Sequence, residues 1–292
     1  MDKGCGYAGK ILRVDLSSGN ISDFSTNSYA DSFVGGRGIA AKIYWDEVPP
    51  DTRAFDPENR LIFSTGPLAG VAGLVGSRWQ VCGKSPATNP EVFCYSNLGG
   101  SWGAKLKFAG YDGIAVQGES ETPVYLFVNE GNAELKDASH LWGKGAVEAS
   151  EIIKSELGDS TGVVATGIAG ENEVILASVL ADDDSSGSSG FGAVMGCKKL
   201  KAIAVRGKGK IAVADRDRLI ELRKYIRKMG SGSTVTMVLS PDVKPSSVMA
   251  AGSVASGVSI KPSTARAERS CVSPASSINR DRSRTSLYPG VR

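Results

Sequence analysis

Histidine and cysteine are scarce in this sequence, which limits the metal and nucleophile chemistry it can carry. Its 292 residues include one histidine, His140, and five cysteines, none with the CxxC spacing. An odd number of widely separated cysteines is not a disulfide framework, so we expect reduced thiols and a cytoplasmic protein. Without a second histidine or a neighbouring serine nucleophile, His140 is expected to have a structural role.

Long apolar runs and blocks of like charge are also missing. The longest apolar stretch, Val174 to Ala181, is interrupted by Ser178 and is far shorter than the ~18 residues of a membrane span. Lysine and arginine total 34, and aspartate and glutamate total 31, for a net charge of +3. The pattern predicts no membrane insertion and offers no electrostatic basis for binding nucleic acid.

Glycine, in contrast, is abundant: it occupies 36 of the 292 positions, well above its usual share of about 7%. Glycine occurs where the backbone turns with positive φ or closely approaches another group. The excess therefore indicates either a turn-rich β protein or a large ligand lying against main chain, and composition alone favours the former.

Alternation of apolar and polar residues predicts a protein built mostly from β-strands. A hairpin is expected within Gly9 to Ser22. Further strands are predicted at Arg60 to Ser64, Trp79 to Cys82, Gly113 to Gln117, Val124 to Val128, Ala133 to Lys136, Gly162 to Thr166, Val174 to Leu180 and Lys201 to Arg206.

Helices are fewer. Lys144 to Leu157 has apolar residues at helical spacing, and Asp215 is predicted to cap a second helix. Shorter helices are expected to begin at Gly38 and near Gly103. The apolar stripe of the second helix consists of Leu219, Leu222, Ile226 and Met229. Many strands with a few peripheral helices give the α+β class.

Composition divides the chain into three regions. Residues 1–210 form the β-rich domain, and residues 211–230 are expected to begin a truncated helical domain. Residues 231–292 are serine-rich with an arginine-studded end and no periodicity, which predicts a low-complexity, disordered or non-native tail. A truncated or frameshifted gene product is favoured, because the preceding helix resembles the start of a further domain. A natural linker remains the alternative.

The segment FVGGRGIAAKI places Gly36, Gly38 and Ala41 at the GxGxxA spacing after an expected strand. Such a loop exposes backbone N–H groups that bind phosphate at the start of a helix. The match is single, and no acidic residue follows about 20 residues later in a βαβ context. A dinucleotide site is therefore only weakly indicated.

Three other positions carry polar groups in glycine-rich surroundings. Arg78 suits a phosphate or a pterin ring edge, although arginine in such a loop is commonly solvated. Asn97 suits a hard cation or an ordinary turn. The acidic loop that begins at Asp182, DDDSSGSS, suits magnesium or an acidic surface turn. From the residues alone these alternatives stay open.

The order of the motifs along the chain is more informative than any one of them. From about Gly6 to Met229 the sequence resembles the N-terminal domain of the aldehyde ferredoxin oxidoreductase family. The resemblance is carried by GKILRVDLSSG, VGGRGIAAKI, ENRLIFSTGPLAG, SRWQVCGKSP, NLGGSWGAKLKFAGYDGIAVQG, DASHLWGKG, GIAGEN and GFGAVMGCKKLKAIAVRG.

The resemblance implies a fold and a set of site residues. In the family, two packed β-sheets form a base for a tungsten or molybdenum bis-pyranopterin, and the glycine excess leaves bare backbone for that flat cofactor. Arg78, Asn97 and Gly99 fall on cofactor-binding positions, and Asn97 also falls on a position that contacts the magnesium bridging the pterin phosphates.

One loop departs from the family pattern. Where members often carry Arg-Ala-Ala-Gly-Arg, this chain has residues 184–188, with Asp184 first. Backbone contacts at Ser185 and Gly187 to the cofactor, and at Ser185 to magnesium, are expected to survive. Asp184, however, would repel a phosphate unless magnesium intervenes.

The family's CxxCxxxC motif and acid–base residues do not occur in this sequence. A 4Fe–4S cluster is therefore expected only in a full-length enzyme, and the catalytic residues are unknown. Such an enzyme would oxidise a small aldehyde to a carboxylate with ferredoxin as the electron acceptor, whereas this chain alone is expected to be inactive. A non-catalytic cofactor- or partner-binding fragment that acts as a homodimer or with a second subunit, and a related oxidoreductase with another substrate, remain alternatives.

Overall fold

The computed structural model describes residues 4–74, 76–182 and 185–230 of the chain. In this part of the chain, twelve strands and seven α-helices alternate irregularly. The strands are β1 Lys10–Asp15, β2 Asn20–Ser25, β3 Leu61–Thr65, β4 Trp79–Lys84, β5 Phe93–Leu98, β6 Gly113–Gln117, β7 Val124–Asn129, β8 Asn132–Asp137, β9 Gly162–Thr166, β10 Val179–Ala181, β11 Ser185–Gly187 and β12 Leu200–Arg206. The helices are α1 Asn27–Phe33, α2 Arg37–Glu47, α3 Trp102–Phe108, α4 Ala146–Leu157, α5 Ile168–Glu171, α6 Phe191–Cys197 and α7 Arg216–Gly230.

The strands form two mixed six-stranded sheets. The first has the order β2-β1-β6-β3-β4-β5, and the second has the order β11-β10-β9-β12-β7-β8. Only the β1–β6 and β12–β7 pairs are parallel among the described pairs. This architecture confirms the α+β class.

The two sheets pack on each other through a shared apolar core. Phe63 of the first sheet and Ile203 of the second are fully buried in one cluster with Trp102 of α3. The rings of Trp79 and Trp102 lie 4.4 Å apart between centroids, a separation at which aromatic pairs attract beyond their buried area. Trp102 therefore joins α3 to both sheets, because its indole N–H also donates to the Ile203 carbonyl.

The outer faces of the sheets are covered by helices. Ile39 and Ile43 of α2 are buried against the first sheet in a cluster with Ile62 of β3. Ile153 of α4 is buried in a cluster with Ala165 and Ala204 of the second sheet. Helices α2 and α4 are thus peripheral, as the sequence predicts, whereas α3 and α6 contribute buried residues to the core shared by the two sheets.

Most of the predicted strands and helices are found with small shifts of their ends. The strand predicted from Val174 to Leu180 is wrong over most of its length, because only Val179–Ala181 pairs with β9. Val174, Ile175 and Leu176 lie in a turn after α5, and Leu176 is 72% exposed. Strand β5 was not predicted, since its outward residues are polar and its alternation is weak, and β11, α1, α5 and α6 were also missed.

Helix α7 confirms its predicted start but not a buried apolar face. The carboxylate of Asp215 accepts a hydrogen bond of 2.9 Å from the backbone N–H of Arg218, which caps the helix. In the predicted stripe, Leu222 and Met229 are 46% and 61% exposed. The division at residue 211 stays a prediction, and the predicted tail, residues 231–292, lies outside the described residues.

No helix in the described ranges has the length and apolar character needed to cross a bilayer.

Candidate functional site

The candidate site lies on the outward face of the β4–β5 pair. Trp79 and Leu98 pair across the two strands and are fully buried, so the next pair, Gln80 and Asn97, points to the opposite face. The Gln80 side-chain amide donates a 3.2 Å hydrogen bond to Asn97 Oδ1. Arg78, immediately before β4, is exposed. The pairing therefore places Asn97 on β5 beside the strand that Arg78 immediately precedes.

A concavity of about 410 Å³ adjoins this face. Its walls come from the loop before α2, the loop after β3, and the start of β4. Its lining residues are Val34, Gly35, Gly36, Arg37, Gly38, Gly66, Pro67, Arg78 and Gln80. The Arg37 guanidinium lies 4.1 Å above the ring centroid of Tyr95 on β5. Two arginines thus border an open, glycine-rich surface.

Two glycines, Gly66 in the concavity and Gly99 at the end of β5, face open space. A Cβ at Gly66 would meet no atom within 4 Å, and one at Gly99 would meet only Ser185 Oγ at 3.9 Å. Neither residue has positive φ. The backbone at these two positions is therefore open enough for a ligand to lie directly on main chain, and to that extent the residues present fit a large flat cofactor.

Gly36 differs, because its glycine is required by the protein itself. Its φ is +52°, and a Cβ there would overlap Gln80 Oε1. Its N–H donates a 2.9 Å bond to the Thr65 carbonyl, which joins the loop before α2 to the end of β3.

The GxGxxA motif that contains Gly36 follows helix α1 rather than a strand. The predicted strand context of a dinucleotide loop is therefore wrong.

The two sheets meet beside the site. The Gly99 N–H donates a 2.7 Å hydrogen bond to Ser185 Oγ of β11, and the Ser188 N–H donates a 2.9 Å bond to Ser96 Oγ. The Trp79 indole N–H donates to the Gly99 carbonyl at 2.9 Å. Gly99 and Ser185, which lie 86 residues apart in sequence, are thus brought together at one seam.

Gly187 lies on the buried side of the same seam. A Cβ at this position would approach Val179 Cγ2 to 2.9 Å and Leu98 Cδ1 to 3.0 Å. Close packing between the two sheets is therefore a sufficient reason for glycine at position 187. Its role in cofactor binding stays a prediction.

The first carboxylate of the acidic loop is engaged within the protein. Asp182 is buried, with its Oδ1 accepting from the Val163 N–H at 3.0 Å and lying 3.2 Å from Lys154 Nζ. Its Oδ2 accepts from Ser101 Oγ at 3.4 Å. Asp182 is thus a structural bridge; Asp183 and Asp184 lie outside the described residues. Within the described ranges no group of three metal-ligating side chains is found.

His140 lies at the surface, away from these residues. Its Nε2 is 3.0 Å from Glu156 Oε1, and its side chain is 45% exposed. A structural role for His140 stays a prediction.

Sequence reasoning missed a buried charge behind the concavity. Lys107 of α3 has a side chain with no exposed surface, and its Nζ lies 3.5 Å from Asp112 Oδ1. Burial lowers the pKa of Lys107, and the Asp112 carboxylate opposes that shift. No local pattern signals this lysine, because lysine in a short amphipathic helix is normally a surface residue.

The fold and the site together define an α+β domain with an open, glycine-rich face bordered by two arginines. Residues 11–207 match the family model described as aldehyde ferredoxin oxidoreductase, N-terminal domain. The chain belongs to the aldehyde ferredoxin oxidoreductase family, which confirms the resemblance seen in its motifs.

Curated relatives agree. The tungsten-containing aldehyde ferredoxin oxidoreductase of Pyrococcus horikoshii is 44% identical over 228 residues, covering 77% of this chain and 37% of the relative. An aliphatic sulfonate oxidoreductase, WOR-like subunit, of Pyrococcus furiosus is 33% identical over 248 residues, covering 78% and 39%. The chain thus spans less than two-fifths of the length of these relatives.

A solved structure is also similar. It is the active site complex BamBC of benzoyl coenzyme A reductase in complex with 1,5-dienoyl-CoA, with 41% sequence identity and a TM-score of 0.75. The match covers 82% of this chain and 37% of that chain.

Proposed function

We propose that this chain forms the base of a tungsten bis-pyranopterin site in an oxidoreductase. The observation that carries the proposal is the open backbone at two glycines, Gly66, which lines the concavity with Arg78, and Gly99, which follows β5. Tungsten is named in the relatives, and molybdenum is the alternative metal.

In this proposal each residue has a binding role. The backbone at Gly66 and Gly99 lies against the flat face of the pterin, and the Arg78 guanidinium donates to a phosphate or a ring edge. Ser185 and Gly187 contribute backbone groups from the second sheet. When bound, the metal–pterin group supplies the oxidation–reduction chemistry, while these residues hold and orient it.

We also propose that magnesium bridges the pterin phosphates at the seam. Asn97 Oδ1 and the oxygens of Ser185 are hard donors of the kind magnesium prefers. Asn97 Oδ1 accepts a hydrogen bond from Gln80, which orients the amide with its oxygen toward that neighbour. If so, a chelator that removes magnesium from the chain should release pterin to the same extent.

The experiment that tests cofactor binding is expression in a host that makes tungstopterin, followed by gel filtration. Tungsten is measured by mass spectrometry and pterin by fluorescence after oxidation. Arg78→Ala should lower both contents together. Arg53→Ala is the matched control, because Arg53 is also exposed, pairs only loosely with Glu91 at 3.6 Å, and does not line the concavity. Equal contents in the two variants would refute the role of Arg78.

For the assembled protein we propose aldehyde oxidation to a carboxylate with ferredoxin as acceptor. The 4Fe–4S cluster must come from outside these 292 residues, since no CxxC spacing occurs in them. The purified chain is therefore expected to show no turnover of acetaldehyde with a viologen dye. Turnover would refute this expectation. Because the relatives include a sulfonate oxidoreductase subunit, a related reaction within the family is the alternative.

A second candidate function is a non-catalytic module that binds a partner. The specific observation is helix α7, whose apolar residues Leu222 and Met229 remain exposed. A homodimer or a second, cysteine-rich subunit would cover them. Analytical ultracentrifugation of the chain alone and with co-purified proteins distinguishes these assemblies.

A further inference from the structure

A buried ammonium group stands directly behind the wall of the concavity. Lys107 Nζ donates hydrogen bonds to the carbonyl oxygens of Gly66, at 3.1 Å, and Pro67, at 3.5 Å, both in the loop after β3. It also donates to the Gly6 carbonyl. Gly66 and Pro67 themselves line the concavity. Because the lysine side chain has no exposed surface, the two carbonyls point into the protein rather than into the concavity.

The Gly66 carbonyl has a second internal donor. The Ala69 N–H bonds to it at 3.1 Å, so its lone pairs are directed to partners inside the fold. The loop is also joined to the opposite wall, because the Gly36 N–H donates to the Thr65 carbonyl. Lys107 thus acts on a loop that is coupled to both sides of the opening.

The ammonium is held in turn by Asp112. The carboxylate oxygens of Asp112 accept from the N–H groups of Ala8 and Gly9 at 2.9 and 2.8 Å, and from Thr26 Oγ1 at 2.8 Å. Every partner of this carboxylate is therefore a backbone or side-chain donor fixed by the fold. The pair forms a rigid support beneath the loop.

We propose that Lys107 is a positioning residue that turns the carbonyls of the 66–67 loop away from the concavity, which leaves a wall suited to an anionic ligand. With these acceptors withdrawn, the wall presents the bare backbone of Gly66 and the guanidinium groups of Arg37 and Arg78. Carbonyl oxygens facing the opening would repel an anion, since each carries partial negative charge. The identity of the anion as a pterin phosphate rests on the proposed function.

Lys198 provides a matched control. It is also a buried lysine, and its Nζ donates to the carbonyls of Asp56, Pro57 and Gly118 at 3.4, 3.1 and 3.2 Å. None of these three residues lines the concavity. Lys107→Met and Lys198→Met therefore remove the same kind of group, one behind the site and one elsewhere.

The test measures two quantities on the full chain. The first is hydrogen exchange of the Gly36 amide by NMR, under conditions where global unfolding is too slow to contribute. The second is the affinity for inorganic pyrophosphate by calorimetry. In Lys107→Met, Gly36 exchange should rise and pyrophosphate affinity should fall, each by about tenfold or more, the equivalent of one charge-assisted hydrogen bond. In Lys198→Met both should stay near the wild-type values.

The outcomes separate this inference from the proposed function. Equal effects of the two substitutions would show that Lys107 only stabilises the fold, and would overturn the inference. If the wild-type chain binds no pyrophosphate while Gly36 exchange still distinguishes the variants, an anion site at this face is refuted and the positioning of the loop stands. If Lys107→Met does not fold, the test uses the unmodified chain. There, an NMR scalar coupling between Lys107 Nζ and the Gly66 carbonyl carbon across their hydrogen bond is expected, and its absence would refute the positioning role.

Discussion

Substitution of Gly99 by alanine should separate cofactor binding from stability. A Cβ at Gly99 meets only Ser185 Oγ at 3.9 Å, and the residue does not have positive φ. Glycine-to-alanine changes at such positions typically stabilise by about 0.4–1 kcal/mol, because they restrict the unfolded chain. For a domain of this size that corresponds to a rise in Tm of roughly 1–4 °C. The same methyl group should obstruct a ligand lying on the backbone, so tungsten and pterin contents should fall.

Gly103→Ala is the control for this prediction. Gly103 lies in α3, where a Cβ would be 2.9 to 3.0 Å from Trp79 Cδ1, Cβ and Cγ. Overpacking of this kind costs about 1–3 kcal/mol, so Gly103→Ala should lower Tm. Thermal unfolding by circular dichroism and metal analysis of the same samples give both readouts. If Gly99→Ala lowered Tm as much as Gly103→Ala, or left the cofactor content unchanged, the argument that Gly99 is reserved for a ligand would fail.

Three further predictions concern the buried charges. Glu171→Gln should destabilise the chain by about 3 kcal/mol in denaturant titrations, because it leaves the fully buried Lys201 ammonium without its ion-pair partner; a loss near zero would refute this. Burial lowers the pKa of Lys198 to about 8. Between pH 8 and about 10.5 the unfolded chain keeps a proton on this lysine that the folded chain has lost, so the free energy of unfolding should rise with pH in that range. Lys198→Met should flatten this rise. Asp182 has φ +45°, a conformation that asparagine tolerates and alanine does not, so Asp182→Asn should lower Tm less than Asp182→Ala; the reverse order would count against the structural bridge.

Much of the fold followed from local patterns. The hairpin of β1 and β2, strand β6 and strand β9 have strong alternation or continuous apolar runs, and the structure has them where they were predicted. Strand β5 was missed because it lies at the edge of its sheet and directs polar residues such as Asn97 outward. The apolar triplet Val174 to Leu176 led to a wrong strand prediction, because apolar residues favour a buried strand but these three lie exposed in a turn.

The site shows a similar division. The order of the motifs indicated the family and, through that resemblance, a ligand lying on main chain, whereas glycine abundance alone favoured a turn-rich β protein. Whether a particular glycine faces a ligand or a neighbouring side chain depends on packing. Gly66 faces open space, whereas Gly187 is closed in by Val179 and Leu98.

The sequence by itself determined the class of the fold, the family and the polar residues to examine, since periodicity and residue order carry that information. Only the tertiary structure decided which of those residues meet. The hydrogen bond from Gly99 to Ser185 joins two sheets across 86 residues of sequence, and the contact between Lys107 and the Gly66 carbonyl spans 41. Such pairings arise from the packing of the sheets and α3 around one core, and no local pattern encodes them.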